Sequence, residues 1–419
     1  MDLNKQTFAA YVGIDWADQK HDISLSSSVD GKPEHRLIPS TPEALTDWLS
    51  QLRQRFPEGK IAVCLEQSRG PLIFHLMGYD YLVLFPVNPK QLADYRKSFS
   101  TSGAKADRPD ANFLRELVCL HREHLRPWFP DDEVTRSLAL LAEARRKAVD
   151  ERTKNTNRLT AVLKGYFPQA LKLTGSSLYD KMSLAFLEKW IRLEDIQRTQ
   201  DRTIRNFYTS CGSRSSRLIE ERLRLIRSTV PLTTDKAVIT SSIITVKMLV
   251  RQIKSLNQSI SEYEQALAEM FDQHPDKDIF NSFPGAGDAL KPRLVAAFGT
   301  DRNRFEKADN IQKYSGIAPV TKRSGKSIVV HRRLACPKFL LQTFHEYARH
   351  SRKKSIWAKA YYDMQREKGK GHHAAIRSLA FKWLRIIHRC WLDRVCYEEI
   401  KYLKALQRNH SPLLKYIAT

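Results

Sequence analysis

The spacing of apolar residues changes character along the chain. Tyr11-Val12-Gly13-Ile14 is a short apolar run and predicts a strand, and the weak alternation from His21 to Ser26 predicts its hairpin partner. Leu45, Trp48, Leu49 and Leu52 recur at helical spacing behind Pro42, predicting a helix over Thr41–Arg55. Ile61 to Leu65 reads as a buried strand, Arg69 to Leu76 as a helix, Tyr81 to Phe85 as a strand ended by Pro86, and Asn88 to Lys97 as a helix. Strands alternating with helices predict an α/β domain over residues 8–125.

Beyond Asp131 the pattern is helical. Neither Gly nor Pro occurs between Asp131 and Lys164, and Phe167-Pro168 ends the run. Val246, Leu249, Ile253, Leu256, Ile260, Tyr263, Leu267 and Met270 step alternately by three and four, a heptad seam. It predicts a coiled coil or an antiparallel helical arm within a helical middle, residues 131–272. Residues 170–235 are polar, basic and mostly helical, with a loop at Cys211–Ser216. A third domain, residues 275–400, reads as helices separated by Gly- and Pro-containing turns.

Charge adds a partner. The chain holds 70 Lys+Arg against 46 Asp+Glu, a net charge of +24, which favours polyanions. Residues 1–100 are nearly neutral, with 11 basic and 12 acidic residues. Residues 321–380 hold 15 basic and 3 acidic, half of the net charge in one stretch. There is no apolar run long enough to span a bilayer, no signal-like N-terminus and no CxxC pair. The expectation is a cytoplasmic protein that contacts no membrane.

Two constellations carry chemistry. Asp15 directly follows the first strand and Glu66 the strand ending at Leu65, at the sheet edge where α/β active sites gather. Asp107 and Asp110 are three apart, so a helix puts both on one face. Acids gathered in one pocket repel unless a cation joins them, and Mg²⁺ takes hard oxygen ligands of this kind. In the last domain, Phe283-Pro284-Gly285-Ala286-Gly287 precedes a helical run. A turn of this kind either holds a DNA phosphate through backbone N–H groups at Gly285 and Gly287 or simply joins two helices. Ser324 is expected in a flexible basic loop with Lys322, Arg323 and Lys326, and Arg332 and Arg333 follow. Its hydroxyl is suited to attacking a phosphodiester among cations and equally to hydrogen-bonding one.

Tyr11–Ala17, Leu65-Glu66, Val87–Gln91 and Lys105–Ala111 together resemble the RuvC-like DEDD domain of the IS110 family of transposases, with Ala106 where relatives usually carry Thr. Pro284–Gly287, Phe305, Tyr314–Pro319 and Ser324-Gly325 resemble the C-terminal transposase domain of the same family. The resemblance implies an RNase-H-like α/β domain, a helical middle and a helical transposase domain with a helix-hairpin-helix-like turn. It implies that Asp15, Glu66, Asp107 and Asp110 bind Mg²⁺ or Mn²⁺. It implies that Ser324 is the nucleophile, Ser315 standing where relatives have Ala and Ser327 being a weaker candidate. The activity implied is bacterial RNA-guided recombination of donor and target DNA. It would run through a covalent serine–DNA intermediate, with a structured bridge RNA as partner and a homo-oligomer, dimer or tetramer, as the working form. The heptad seam would serve that assembly. A metal-dependent nuclease resolving branched DNA, with Ser324 only a phosphate contact, is the alternative, and a non-catalytic nucleic-acid scaffold is the third reading.

Overall fold

A computed structural model describes residues 7–28, 31–66, 70–98, 110–325 and 327–417. The chain divides into two compact units, Met1–Pro130 and Asp131–Thr419.

The first unit holds β1 (Ala10–Asp15), β2 (Lys20–Ser26), β3 (Glu34–Pro39), α1 (Pro42–Arg55), β4 (Ile61–Leu65), α2 (Pro71–Leu76), β5 (Leu82–Pro86), α3 (Pro89–Lys97) and α4 (Asp110–Leu120). The five strands form one mixed sheet in the order β3-β2-β1-β4-β5. β1 pairs antiparallel with β2 and parallel with β4. The apolar runs of β1 and β4 are buried on both faces, as central strands flanked by helices must be. α1 starts where Thr41 accepts a hydrogen bond from the Ala44 N–H and Pro42 fixes the first turn. Val12, Ile14, Val63 and Leu65 pack with Trp48, Leu49 and Ile73 of α1 and α2 on one face. Tyr11, Cys64 and Phe85 pack with Phe113, Leu114 and Leu117 of α4 on the other.

α4 lies unusually close to the sheet, and Gly13 allows it. A Cβ on Gly13 would sit 2.0 Å from the Ala111 carbonyl oxygen and 2.4 Å from the Arg115 nitrogen. The contact is secured by buried polar bonds: Ser24 Oγ donates to Asn112 Oδ1 at 2.7 Å, and Arg115 donates to Ser26 Oγ at 3.3 Å.

The second unit begins with α5 (Glu133–Tyr166), followed by α6 (Ala170–Leu173), α7 (Lys181–Lys189), α8 (Leu193–Gln197), α9 (Asp201–Ser210), α10 (Ser216–Ser228) and α11 (Lys236–Gln273). Next come α12 (Lys277–Asn281), α13 (Lys291–Phe298), α14 (Ala308–Tyr314), β6 (Val320–Ser324), β7 (Ser327–His331), α15 (Lys338–Ser351), α16 (Ile356–Glu367), α17 (His372–Asp393), α18 (Glu399–Arg408) and α19 (Leu414–Ile417). α5 and α11 run antiparallel against each other. Leu138 meets Leu267 in one core, Arg145 pairs with Glu264, Arg152 donates to Asn257, and Leu163 meets Leu249 in a second core. The first core is completed by α12–α19 and the second by α6–α10. The heptad seam of α11 is thus covered by α5 of the same chain. Val246, Leu249, Ile253, Ile260 and Leu267 of the seam are buried within the protomer, while Leu256, Tyr263 and Met270 stay partly exposed.

A polar network with Thr135, His274 and Asp276 buried at its centre fastens the arm to the first core. Asp132 caps α5 through the Thr135 N–H at 3.0 Å and accepts from the Thr135 and Thr300 hydroxyls at 2.6 and 2.7 Å. The Thr135 proton goes to Asp132, so Thr135 Oγ1 accepts from His274 Nε2 at 3.0 Å. His274 Nδ1 accepts from the Asp276 N–H, and Asp276 pairs with Arg302 at 2.6 Å.

Candidate active site

Asp15 ends β1 on the face that Tyr11 and Gly13 share, towards α4. β4 runs parallel to β1 with Leu65 opposite Ile14, so Glu66 emerges beside Asp15 at the same sheet edge. Asp110 opens α4, whose close approach over Gly13 brings its first turn to that edge. The three acids act on one another. The Asp15 carboxyl is pushed up to about 6, by burial first, then by the charges of Asp110, Glu66 and Asp22, against the pull of Arg96. Arg96, in the last turn of α3, holds both oxygens of Asp110 at 2.8 and 2.7 Å. Arg96 had no signal in the sequence, because its place beside Asp110 depends on how α3 packs on α4. Asp107 lies outside the described residues. The expectation that Asp107 and Asp110 share a helical face therefore also lies outside the described residues. Among the described residues no group of three His, Cys, Asp or Glu side chains is arranged to hold a metal ion. The donors nevertheless suit one, being hard oxygens at one edge where burial first and then neighbouring negative charge lift Asp15, with Arg96 as the nearby positive charge.

Ser324 belongs to the second unit. The expected flexible loop is a two-stranded antiparallel hairpin, in which Ser324 ends β6 opposite Ser327 of β7 and Gly325 stands in the turn. The β-branched run Ile328-Val329-Val330 gives β7 its strand preference, and that run stays exposed. Lys322, Arg323, Ser324, Ser327 and Arg332 are exposed as well, and Arg333 donates to the Ala318 carbonyl at 3.4 Å. Lys326 lies outside the described residues. Arg332 comes close enough to Arg377 of α17 to lower its pKa, though burial does so more. Ser315, the rival serine, is 0% exposed and donates to the Gln312 carbonyl. Gly285 adopts φ +79°, and a Cβ there would meet the His350 carbonyl of α15 at 2.9 Å. Its absence of a side chain lets the turn seat on α15, while the space around Gly287 is open.

Among the described residues no helix is long and apolar enough to cross a membrane. Comparison with known proteins gives the constellation its context. Residues 12–168 match the DEDD transposase domain of IS110, described as a transposase, and residues 277–363 match the transposase IS116/IS110/IS902 family. The chain is 28% identical to the mini-circle putative transposase for IS117 of Streptomyces coelicolor, over 99% of this chain and 100% of that protein. It is 24% identical to the IS110 43.6 kDa protein of the same organism, over 70% of this chain and 72% of that protein. It is 23% identical to the IS116 44.8 kDa protein of Streptomyces clavuligerus, over 88% and 91%. A DEDD transposase domain carries a general dependence on divalent metal, and DNA is the substrate of such enzymes. The two matched segments lie in order on one chain and together cover more than half of it, one bearing the acid cluster and the other the serine hairpin, and they place this protein in the IS110 family of transposases.

Proposed function

We propose that this transposase cuts and rejoins donor and target DNA through a covalent bond between Ser324 and DNA, with a metal held by Asp15, Glu66, Asp107 and Asp110. The observation that carries the reading is the joint presence of a coupled acid cluster at a sheet edge and an exposed serine on a basic hairpin. Ser324 Oγ loses its proton and attacks phosphorus. The bond from phosphorus to one deoxyribose oxygen breaks, and that oxygen takes up a proton. The product is a serine phosphodiester, which keeps the bond energy and lets a second DNA hydroxyl attack and rejoin the strand. Lys322 and Arg323 adjoin Ser324 on β6 and would offset the phosphate's developing charge, with Lys326 in the same stretch, while Arg332 and Arg333 follow β7 at the other end of the hairpin and would hold DNA further along. A bound Mg²⁺ or Mn²⁺ would stabilise charge on the transferring phosphoryl oxygens. Arg96, which pairs with Asp110, would share in balancing the charge of the acids around the metal. The turn at Gly285 and Gly287 is a phosphate contact in this reading.

A structured bridge RNA supplies target choice by base pairing, and the protein reads that RNA by shape and backbone. The working form is a homo-oligomer that brings acid and serine units together. The α/β unit is RNase-H-like in this reading, supported by its sheet order with the first three strands antiparallel and the fourth and fifth parallel to the first. The test is covalent trapping: protein, element RNA, and donor and target DNA are incubated with Mg²⁺, denatured and examined for DNA-linked protein. The adduct is expected in wild type, absent in Ser324→Ala, and strongly reduced in Asp15→Ala. Cleavage without an adduct that survives Ser324→Ala but not Asp15→Ala would replace this reading with the metal-nuclease one.

A further inference from the structure

The two segments matched to known families stop at residue 168 and resume at 277. Between them α6–α10 fold onto the far ends of α5 and α11 around a core of their own, including Phe186, Trp190, Tyr208, Leu223 and Ile226. Residues 167–254 carry 16 Lys+Arg against 8 Asp+Glu, and five of those acids are already occupied. They form the ion pairs Arg192–Asp195, Arg205–Glu220, Arg217–Glu221, Arg227–Asp201 and Lys254–Glu188.

Two of these pairs define a surface. Arg205–Glu220 and Arg227–Asp201 tie α9 and α10 side by side in antiparallel order. Ile204 and Tyr208 of α9, with Ile219, Leu223 and Ile226 of α10, face the core. Helical spacing then turns Arg202, Asn206 and Thr209 outward on α9, and Arg217, Glu221, Arg224 and Ser228 outward on α10. Arg214 projects from the connecting turn. Arg202, Arg214 and Arg224 are exposed and make no ion pair or side-chain hydrogen bond among the described residues. The one carboxylate on this outward face, Glu221, is taken by Arg217.

We propose that the outward face of the α9–α10 pair is a docking surface for duplex DNA, gripping phosphates rather than reading bases. Free guanidiniums on a convex face of two helices suit a polyanionic backbone, since arginine offers planar, forked donors to phosphate oxygens. α10, with 13 residues, is about 20 Å long. A duplex presents one charge per ~1.7 Å along its axis, so a face of that length meets several phosphates at once. DNA is the polyanion on which a transposase acts, and this surface lies outside both matched segments. It therefore adds a hold on DNA flanking the reacting phosphate, independent of Ser324 and of the acid cluster.

The test uses the full chain and a fluorescein-labelled DNA duplex of about 30 base pairs, with affinity followed by anisotropy across a salt series. The triple variant Arg202→Gln, Arg214→Gln, Arg224→Gln is compared with a control of equal charge loss, Lys147→Gln, Arg158→Gln, Lys164→Gln, at exposed positions on α5. The same triple variants are measured on an RNA duplex of the same sequence. Expected for the α9–α10 variant is at least tenfold weaker DNA binding and a log–log salt slope shallower by about 2.7, three phosphates at ~0.9 each. The control keeps most of the wild-type slope, and RNA binding weakens no more than DNA binding. Unchanged DNA binding, an equal loss in the control, or a loss confined to RNA would each overturn the proposal. Melting curves that coincide with wild type show that the variants are folded.

Discussion

His274 shows what one side chain decides. It is 1% exposed, and its two ring nitrogens have opposite duties: Nε2 donates to Thr135 and Nδ1 accepts from the Asp276 N–H. Only the neutral ring with its proton on Nε2 satisfies both. Burial lowers its pKa first, Arg302 adds to that, and the nearby aspartates oppose it. A histidine lowered in the folded state contributes stability that is full above its unfolded pKa and is lost as pH falls below it. Thermal melts of the wild type should therefore lose midpoint as pH drops below about 6.5, the ordinary histidine value. His274→Gln, which keeps a donor without a titrating ring, should flatten that part of the profile. An unchanged profile would mean that other groups govern acid stability. In the same way the raised Asp15 carboxyl records burial first and then the charges of Asp110, Glu66 and Asp22, a setting no single position in the sequence announces.

Elements explain where those side chains go. α4 reaches the sheet edge only because Gly13 leaves room for the Ala111 carbonyl and the Arg115 nitrogen. The obstacle is backbone, which cannot rotate away as a side-chain tip can. Gly13→Ala is expected to destabilise the first unit by about 3 kcal/mol, the upper range of overpacking, and to move Asp110 away from Asp15. A denaturant melt gives the first quantity, and loss of DNA cleavage in the presence of divalent metal, in the proposed reading, reports the second. Elements also mark where pattern reading stops. β3 has a single buried residue, Ile38, and at the sheet edge it pairs only with β2, so it offers little alternation to read. β6 and β7 are exposed throughout their length apart from Val320, so their apolar run resembles neither a core strand nor a helix face.

At the scale of the whole molecule, charge governs what the protein meets. The net charge is +24, and half of it lies in residues 321–380, around the serine hairpin. Binding to duplex DNA should weaken steeply with salt, with a log–log slope near −5 if about six phosphates are neutralised. Lys322→Gln, Arg323→Gln and Arg332→Gln together should make that slope shallower by about 2.7. A slope near zero in the wild type would show that the basic stretch does not face DNA.

The central strands, the helix start at Thr41, the long helices α5 and α11 and the family motifs are legible in the chain's local pattern. Each of these is written in local periodicity, capping chemistry or contiguous residues. Burial of β1 and β4 on both faces follows from apolar runs that no solvated strand would carry. Packing set α5 against the α11 seam, because a heptad pattern specifies an apolar stripe and not the helix that covers it. It also buried Ser315 while leaving Ser324 exposed, although both are serines beside a glycine. It set Asp110 and Arg96 beside Asp15, since residues far apart in the chain meet only where packing distances, here the missing Cβ of Gly13, allow two backbones to touch.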